Sequence, residues 1–351
     1  MSWVTELARP DIVALKAYEH AVWEPSLERL HANELPWRGF TDPSLAGLNR
    51  YPEPQPAQLV RRLAALYDVS PKTVLVGRGS DEAIDLLVRG FCRAERDSVI
   101  VCPPTFGMYA VAARIQGANV VTVPLLAERG FALDEEAILA RCTPDVKLIF
   151  FCSPNNPTAN SLDEAAILRI SAQVAGRAIV VVDEAYIEFS GAASLARHLA
   201  SVPHLAILRT LSKAYALAGA RCGTLIADPE VVALLRKVIP PYAVAQLTTE
   251  AVLKALEPGQ LQTTAAHLDA IRSERGRLLT ELPKLQSVVR VWPSTANFVL
   301  AEFTDAGDAL TRARHARLLI RDVRGYPGLG RHLRISVGTA EQNTRLLEAL
   351  R

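Results

Sequence analysis

Between residues 73 and 227 the chain alternates short apolar runs with amphipathic stretches. The runs are TVLVG, SVIVC, NVVTV, KLIFF, AIVVVD, LAILRT and GTLIA. They are β-branched and apolar throughout rather than alternating with polar residues, which is the pattern of strands covered on both faces. The segments between them read as helices. In DEAIDLLVRGFC, for instance, Ile84, Leu87, Val88 and Phe91 fall on one face. Strands separated by helical stretches predict an α/β fold, with a mostly parallel seven-stranded sheet flanked by helices.

Beyond residue 245 the pattern changes. Residues 246–283 read as long helices, VVRVW, ANFVLAEF and HLRISVG as strands, and 307–316 and 340–350 as helices, which predicts a smaller α+β domain. The first forty or so residues, with Pro10, Pro25 and Pro36, read as an arm feeding that smaller domain. The division expected is an arm and part of the small domain over 1–45, a large domain over 46–245, and long helices with the small domain over 246–351.

A chain of 351 residues can bury a core of that size. With a formal net charge of +2 and no basic tail, nothing points to nucleic acid or to an electrostatic membrane contact. No stretch approaches the ~18 apolar residues of a membrane span. The opening MSWVTELARPDIVALKAYEH lacks the apolar segment of a signal peptide. Five cysteines, at 92, 102, 142, 152 and 222, form no C-x-x-C and have no paired histidines. They read as reduced core thiols of a cytoplasmic protein, without structural zinc or another metal.

Ligands of a parallel sheet collect at the carboxyl ends of its strands, and four stretches fall there. In VLVGRGSDEAIDLL a glycine-bearing turn opens a helix at Ser80 or Asp81. Its free N–H groups would cradle a phosphate, although an ordinary N-cap uses the same residues. The dinucleotide fingerprint is absent, because GRGSDE lacks the third glycine. In FFCSPNNPTAN, Asn155 and Asn156 form a turn between prolines that either stands as a simple turn or aims an amide at a ligand. Asp183 ends the apolar run IVVVD, three residues before Tyr186. A carboxylate there is desolvated unless it meets a cation, and a buried ion pair is the structural alternative. In TLSKAYALAGARCG, Lys213 stands among small and apolar residues, with Ser212 before it and Arg221 eight residues on. A phosphate cradle, a carboxylate for a pyridinium nitrogen, a donor for a phenolate oxygen and an imine-forming lysine together describe a site for pyridoxal 5'-phosphate.

SPNNPT, DEAY, TLSKAYALAGARCG and LRISVGT resemble the fold-type-I pyridoxal-phosphate aminotransferases. More narrowly, NRYPEPQPAQL, GRGSDEAIDLLVRGFC, CPPTFGMY and DEAYIEF resemble the histidinol-phosphate aminotransferase family, in the family's order from about residue 10 to the end. The resemblance implies that Lys213 is the catalytic residue, joined to the cofactor as an imine and shuttling the proton. It implies that Asp183 pairs with the ring nitrogen, that Asn155 and Tyr186 bond the phenolate oxygen, and that Tyr109 stacks on the ring. Gly79, Ser80, Asp81, Ser212 and Arg221 would surround the phosphate, and Tyr51 would reach the phosphate of the neighbouring subunit in a homodimer. Arg334 would grip the substrate acid, with Arg321 as a second cation and Tyr18 and Asn33 of the arm as weaker contacts.

The implied reaction converts L-histidinol phosphate and 2-oxoglutarate to imidazole-acetol phosphate and L-glutamate by a ping-pong route, a step of histidine biosynthesis. Ala159 departs from the family, which usually has glycine there. A positive φ at that position would cost roughly 1 kcal/mol. An aromatic or broad-specificity aminotransferase and a decarboxylase of phosphorylated threonine share the same cofactor constellation. A cofactor-sensing regulator would need a DNA-binding module, for which the residues before the first motif are too few and not basic. A nicotinamide oxidoreductase would need the missing glycine.

Overall fold

The computed structural model describes residues 2–22, 24 and 26–351, so Pro25 of the expected arm lies outside the described residues. The seven apolar runs form β1 (Val74–Gly77), β2 (Ser98–Val101), β3 (Asn119–Thr122), β4 (Val146–Cys152), β5 (Ile179–Asp183), β6 (Leu205–Thr210) and β7 (Gly223–Ala227). They build one sheet in the order β1-β7-β6-β5-β4-β2-β3. Only β7 runs antiparallel to its neighbours, β1 and β6. Unbroken apolar sequence follows from what covers the sheet. Alternate side chains of a strand point to opposite faces, and both faces are buried. Val180 and Val182 of β5 enter one apolar cluster, while Ile179 and Val181 enter the other. Each such side chain contributes roughly 1.5–3 kcal/mol by leaving water. The edge strand β3 differs from the expectation: Asn119 and Thr122 are exposed, whereas β1 at the other edge is buried throughout.

The run after Gly79 forms a helix over Ser80–Phe91, in which Ile84, Leu87, Val88 and Phe91 are all fully buried. The smaller sheet contains β8 (Val288–Val291), β9 (Phe298–Phe303), β10 (Arg321–Asp322) and β11 (His332–Ser336), in the order β10-β11-β9-β8. All three of its pairings are antiparallel. Helices Pro258–Glu281, Ala306–His315 and Ala340–Ala349 bring Leu278, Ala309 and Leu347 onto its apolar face.

The start of the chain lies elsewhere than the sequence suggested. Val4, Leu7 and Ala8 join the apolar cluster of Ile84 and Phe91 on the large sheet. The Arg9 N–H donates to the Gly90 carbonyl at 3.1 Å, and Lys237 Nζ donates to the Val13 carbonyl at 2.8 Å. The short helix Trp3–Leu7 therefore rests on the large sheet's outer helices, not on the smaller domain. From 15 to 56 the described residues form no helix or strand, and Leu30, Trp37, Phe40 and Leu45 stand exposed.

Candidate active site

The helix Ser80–Phe91 begins one residue after Gly79, whose φ of 91° is open to glycine at little cost. A Cβ on Gly79 would lie 2.9 Å from Arg221 Nη2. A Cβ on Gly223 would lie 2.4 Å from both the Gly79 carbonyl carbon and the Ser80 nitrogen. Two glycines thus let the helix start, β7 and the Arg221 side chain close on one another. The first-turn N–H groups of a helix have no partner within it and carry a partial positive charge. Arg221 adds a full charge beside them. Its Nη2 donates to Asp81 Oδ2 at 3.2 Å and its Nη1 to Ser212 Oγ at 3.4 Å. Five residues expected to surround a phosphate, Gly79, Ser80, Asp81, Ser212 and Arg221, line one cavity.

Asp183 sits at the end of β5 with 3% of its surface exposed. Its carboxylate accepts from the Tyr109 hydroxyl at 2.8 Å and from the Ala185 N–H at 3.1 Å. No cation forms an ion pair with it among the described residues. Burial therefore dominates and pushes its pKa up from the ordinary 3.8 to about 6. A buried carboxylate that faces a cavity and lacks a counter-ion is a place for a cationic ligand atom.

Lys213 lies three residues beyond β6, in a loop rather than on a helix. It opens onto the cavity, and its Nζ is 5.7 Å from the centre of the Tyr186 ring. Partial desolvation first, and the Arg334 charge second, lower its pKa below the usual lysine value. A larger fraction of its amine is consequently neutral and nucleophilic near neutral pH. Tyr186 also faces the cavity, held edge-on against Phe298 at 5.1 Å, and burial keeps its phenol protonated.

Two expected contacts fall on neighbouring residues instead. Asn155 is 1% exposed and its amide is used within the protein. Its Nδ2 donates to the Pro104 carbonyl and to Thr158 Oγ1, while its Oδ1 accepts from Thr105 Oγ1. Neither amide N–H is left to donate to a ligand. Asn156 lines the cavity, and Arg334 Nη1 donates to its Oδ1. Tyr109 likewise sits behind the cavity, fully buried and stacked on Phe150 at 4.9 Å, with its hydroxyl engaged by Asp183. The ring that faces the cavity is Phe106, three residues earlier and edge-on to Tyr109 at 5.6 Å. Asn155 shares its turn with Asn156, and Tyr109 stands in the first turn of the helix that follows Phe106. The direction each side chain takes depends on the backbone path, which no residue count reveals.

The cavity wall carries two further cations. Arg321 and Arg334 are direct partners in the β10–β11 register, and both line the cavity. Like charges facing each other across a strand pair are destabilising, so the pair is an arrangement that an anion relieves. Arg334 lies 5.1 Å from the Phe298 ring, and its Nε is buried without a partner. Tyr18, Asn33 and Tyr51 do not reach this cavity. Tyr18 is 66% exposed and edge-on to His20, Asn33 is exposed in a left-handed conformation, and Tyr51 stacks on Tyr242 at 4.6 Å.

The cavity holds about 330 Å³, room for a small organic ligand. An anion cradle, a lone buried acid and a desolvated amine share its wall, and these residues fit pyridoxal phosphate. Among the described residues no group of three or more His, Cys, Asp or Glu could hold a metal ion. All five cysteines are buried and unpaired, and no helix is long and apolar enough to cross a membrane.

Fold and site together define a pyridoxal-phosphate aminotransferase of the class I and II family, to which the chain belongs: residues 44–350 match that family's model. Within it, the chain is 45% identical over 357 residues to the histidinol-phosphate aminotransferase of Stenotrophomonas maltophilia (strain R551-3), covering 99% of this chain and 96% of the relative. The enzyme of the same name from Xylella fastidiosa (strain Temecula1) is 48% identical over 324 residues, 92% of this chain and 88% of that one. The crystal structure of histidinol-phosphate aminotransferase from Sinorhizobium meliloti, in complex with pyridoxal-5'-phosphate, shares the fold with a TM-score of 0.77 at 24% identity, covering 86% of this chain and 82% of that one. The family sets aside the nicotinamide oxidoreductase.

Proposed function

We propose that this chain transfers the amino group of L-histidinol phosphate to 2-oxoglutarate, giving imidazole-acetol phosphate and L-glutamate in histidine biosynthesis. The observation that carries the reading is the opposed pair Arg321 and Arg334 on the wall that also holds Lys213 and Asp183. Two guanidinium forks suit a phosphate dianion, and one fork suffices for the carboxylates of glutamate and 2-oxoglutarate. The identity of 45% and 48% to histidinol-phosphate aminotransferases supports the same substrate.

When bound, pyridoxal phosphate supplies an aldehyde that takes up the amino group and a ring that accepts the electrons left when the substrate carbon loses its proton. The residues of the chain do the rest. Ser80, Ser212, Arg221 and the N–H groups of the helix start hold the phosphate, with Asp81 orienting Arg221. Asp183 keeps a proton on the ring nitrogen, and Tyr109 and the Ala185 N–H fix the carboxylate's direction. Tyr186 and Asn156, which line the cavity, would donate to the ring's phenolate oxygen, and Phe106 on the same wall would pack against the ring. Lys213, its pKa lowered, carries the proton from the substrate carbon as general base and returns it as general acid. Arg334, positioned by Asn156, and Arg321 align the substrate anion.

A homodimer completes the reading. Leu30, Trp37, Phe40 and Leu45 of the arm stand exposed among the described residues, a face that a second copy would cover, and Tyr51 of the same segment would reach the partner's phosphate. The buried, unpaired thiols suit the reducing cytoplasm. The test is a half-reaction with purified protein, followed by absorbance, offering histidinol phosphate, phenylalanine and threonine phosphate in turn. Conversion to the pyridoxamine form with histidinol phosphate ahead of the others is expected. A preference for phenylalanine, or carbon dioxide release from threonine phosphate without a keto acid, would replace this reading with an aromatic aminotransferase or a decarboxylase.

A further inference from the structure

The turn between β10 and β11 carries a tyrosine on the anion side of the cavity. Val323 and Leu329, at the two ends of the turn, are 1% and 0% exposed. The Tyr326 N–H donates to the Val323 carbonyl and the Leu329 N–H to the Tyr326 carbonyl, each at 3.1 Å. The ring packs on the large core, so its position is held before any ligand arrives. Tyr326 lines the cavity with Arg321 and Arg334, near enough to Arg334 to interact with it electrostatically. Among the described residues its hydroxyl has no hydrogen-bond partner.

The cavity must take two anions of different shape. A carboxylate has two oxygens in one plane, which a single guanidinium fork satisfies. A phosphate monoester has three terminal oxygens arranged tetrahedrally and nearly two charges at neutral pH. Arg334 commits one Nη to Asn156 and keeps its Nε without a partner, so the two guanidinium groups supply the charge, and a hydroxyl on the same wall adds a donor for the oxygen that a phosphate has and a carboxylate lacks. We propose that Tyr326 is a specificity-determining residue whose phenol donates to the third oxygen of the substrate's phosphate monoester and so separates phosphate from carboxylate at this site. The proposal rests on the reading of a phosphorylated substrate given above.

Tyr326→Phe in the holoenzyme removes the hydroxyl and leaves the ring in its packing. A hydrogen bond to a charged group corresponds to about 10- to 100-fold in binding. The variant should therefore raise the KM for histidinol phosphate by about tenfold or more, with kcat within about twofold, and leave the KM for glutamate unchanged. As a second measurement, inhibition constants are compared for inorganic phosphate and for succinate. The first should rise about tenfold in the variant and the second should stay. Equal effects on phosphate and carboxylate ligands, or none on either, would overturn the proposal. Should the wild type fail to convert histidinol phosphate, the reading of the substrate falls, and the two inhibition constants still decide whether Tyr326 distinguishes the anions.

Discussion

Asp183→Asn in the cofactor-free protein isolates the cost of a buried acid without a counter-ion. The carboxyl pKa is raised from 3.8 to about 6, with burial as the largest cause. The folded chain therefore holds this proton more tightly than the unfolded chain does. Below about pH 3.8 the group is protonated in both states and costs nothing, while above about pH 6 it is ionised in both and the folded state bears the full penalty. Stability from this group accordingly falls as pH rises through that window. At 1.36 kcal/mol per pH unit, a displacement of about two units is worth about 3 kcal/mol. Roughly half is present by about pH 5, so about 1.5 kcal/mol develops between there and about pH 8.

Asparagine cannot ionise, and its oxygen can still accept from Tyr109. Its NH₂ group would oppose the Ala185 N–H, a mismatch of about 1–3 kcal/mol that does not vary with pH. The variant should thus gain about 1.5 kcal/mol on wild type between about pH 5 and about pH 8, whatever its offset. Urea unfolding of both cofactor-free proteins, at one protein concentration and several pH values, measures this difference. A gap that is constant over the range, or one that moves the other way, would refute the account of Asp183. On the proposed role of Asp183 at the ring nitrogen, the same substitution should also weaken cofactor retention.

Lys213→Ala should abolish transamination and the cofactor imine absorbance, and borohydride trapping in wild type should label the peptide carrying residue 213; turnover at the wild-type rate in the variant would end the mechanism. Asn155→Ala removes three hydrogen bonds of a buried turn and should cost about 2–4 kcal/mol. Asn156→Ala should leave stability within about 1 kcal/mol and lower turnover instead, and equal thermal shifts for the two would refute the division between them. Ala159 sits at φ 68°, fully buried near Tyr186 and Phe298. For Ala159→Gly, relief of roughly 1–2 kcal/mol of left-handed strain opposes about 0.4–1 kcal/mol of added unfolded-state entropy and about 0.8 kcal/mol for the lost methyl. The net should lie within about 1 kcal/mol of zero by chemical denaturation, and a loss above about 2 kcal/mol would mean that methyl packing outweighs the strain.

The strands and the long helices were legible because burial on two faces and burial on one face leave different periods in the sequence. Short elements were not. β10 has two residues, both charged, and no period can be read from two positions. The Arg321–Arg334 pairing depends on it, so the sequence offered two candidate cations but not their opposition across one ladder. The arm was misplaced for a related reason. Val4, Leu7 and Ala8 mark an apolar face, but an apolar face does not name the surface it will cover.

By itself the sequence determined the class of fold, the lysine and acid at successive strand ends, and the glycine-bearing turn before a helix start. Those features depend on residue type and local spacing. Only the tertiary structure decided that Asn156 rather than Asn155, and Phe106 rather than Tyr109, face the cavity. Adjacent residues of a turn point in different directions, and residues three apart entering a helix can face different neighbours. The choice between them is made by the packing that buries Asn155 against Thr105 and sets Tyr109 between Phe150 and Asp183.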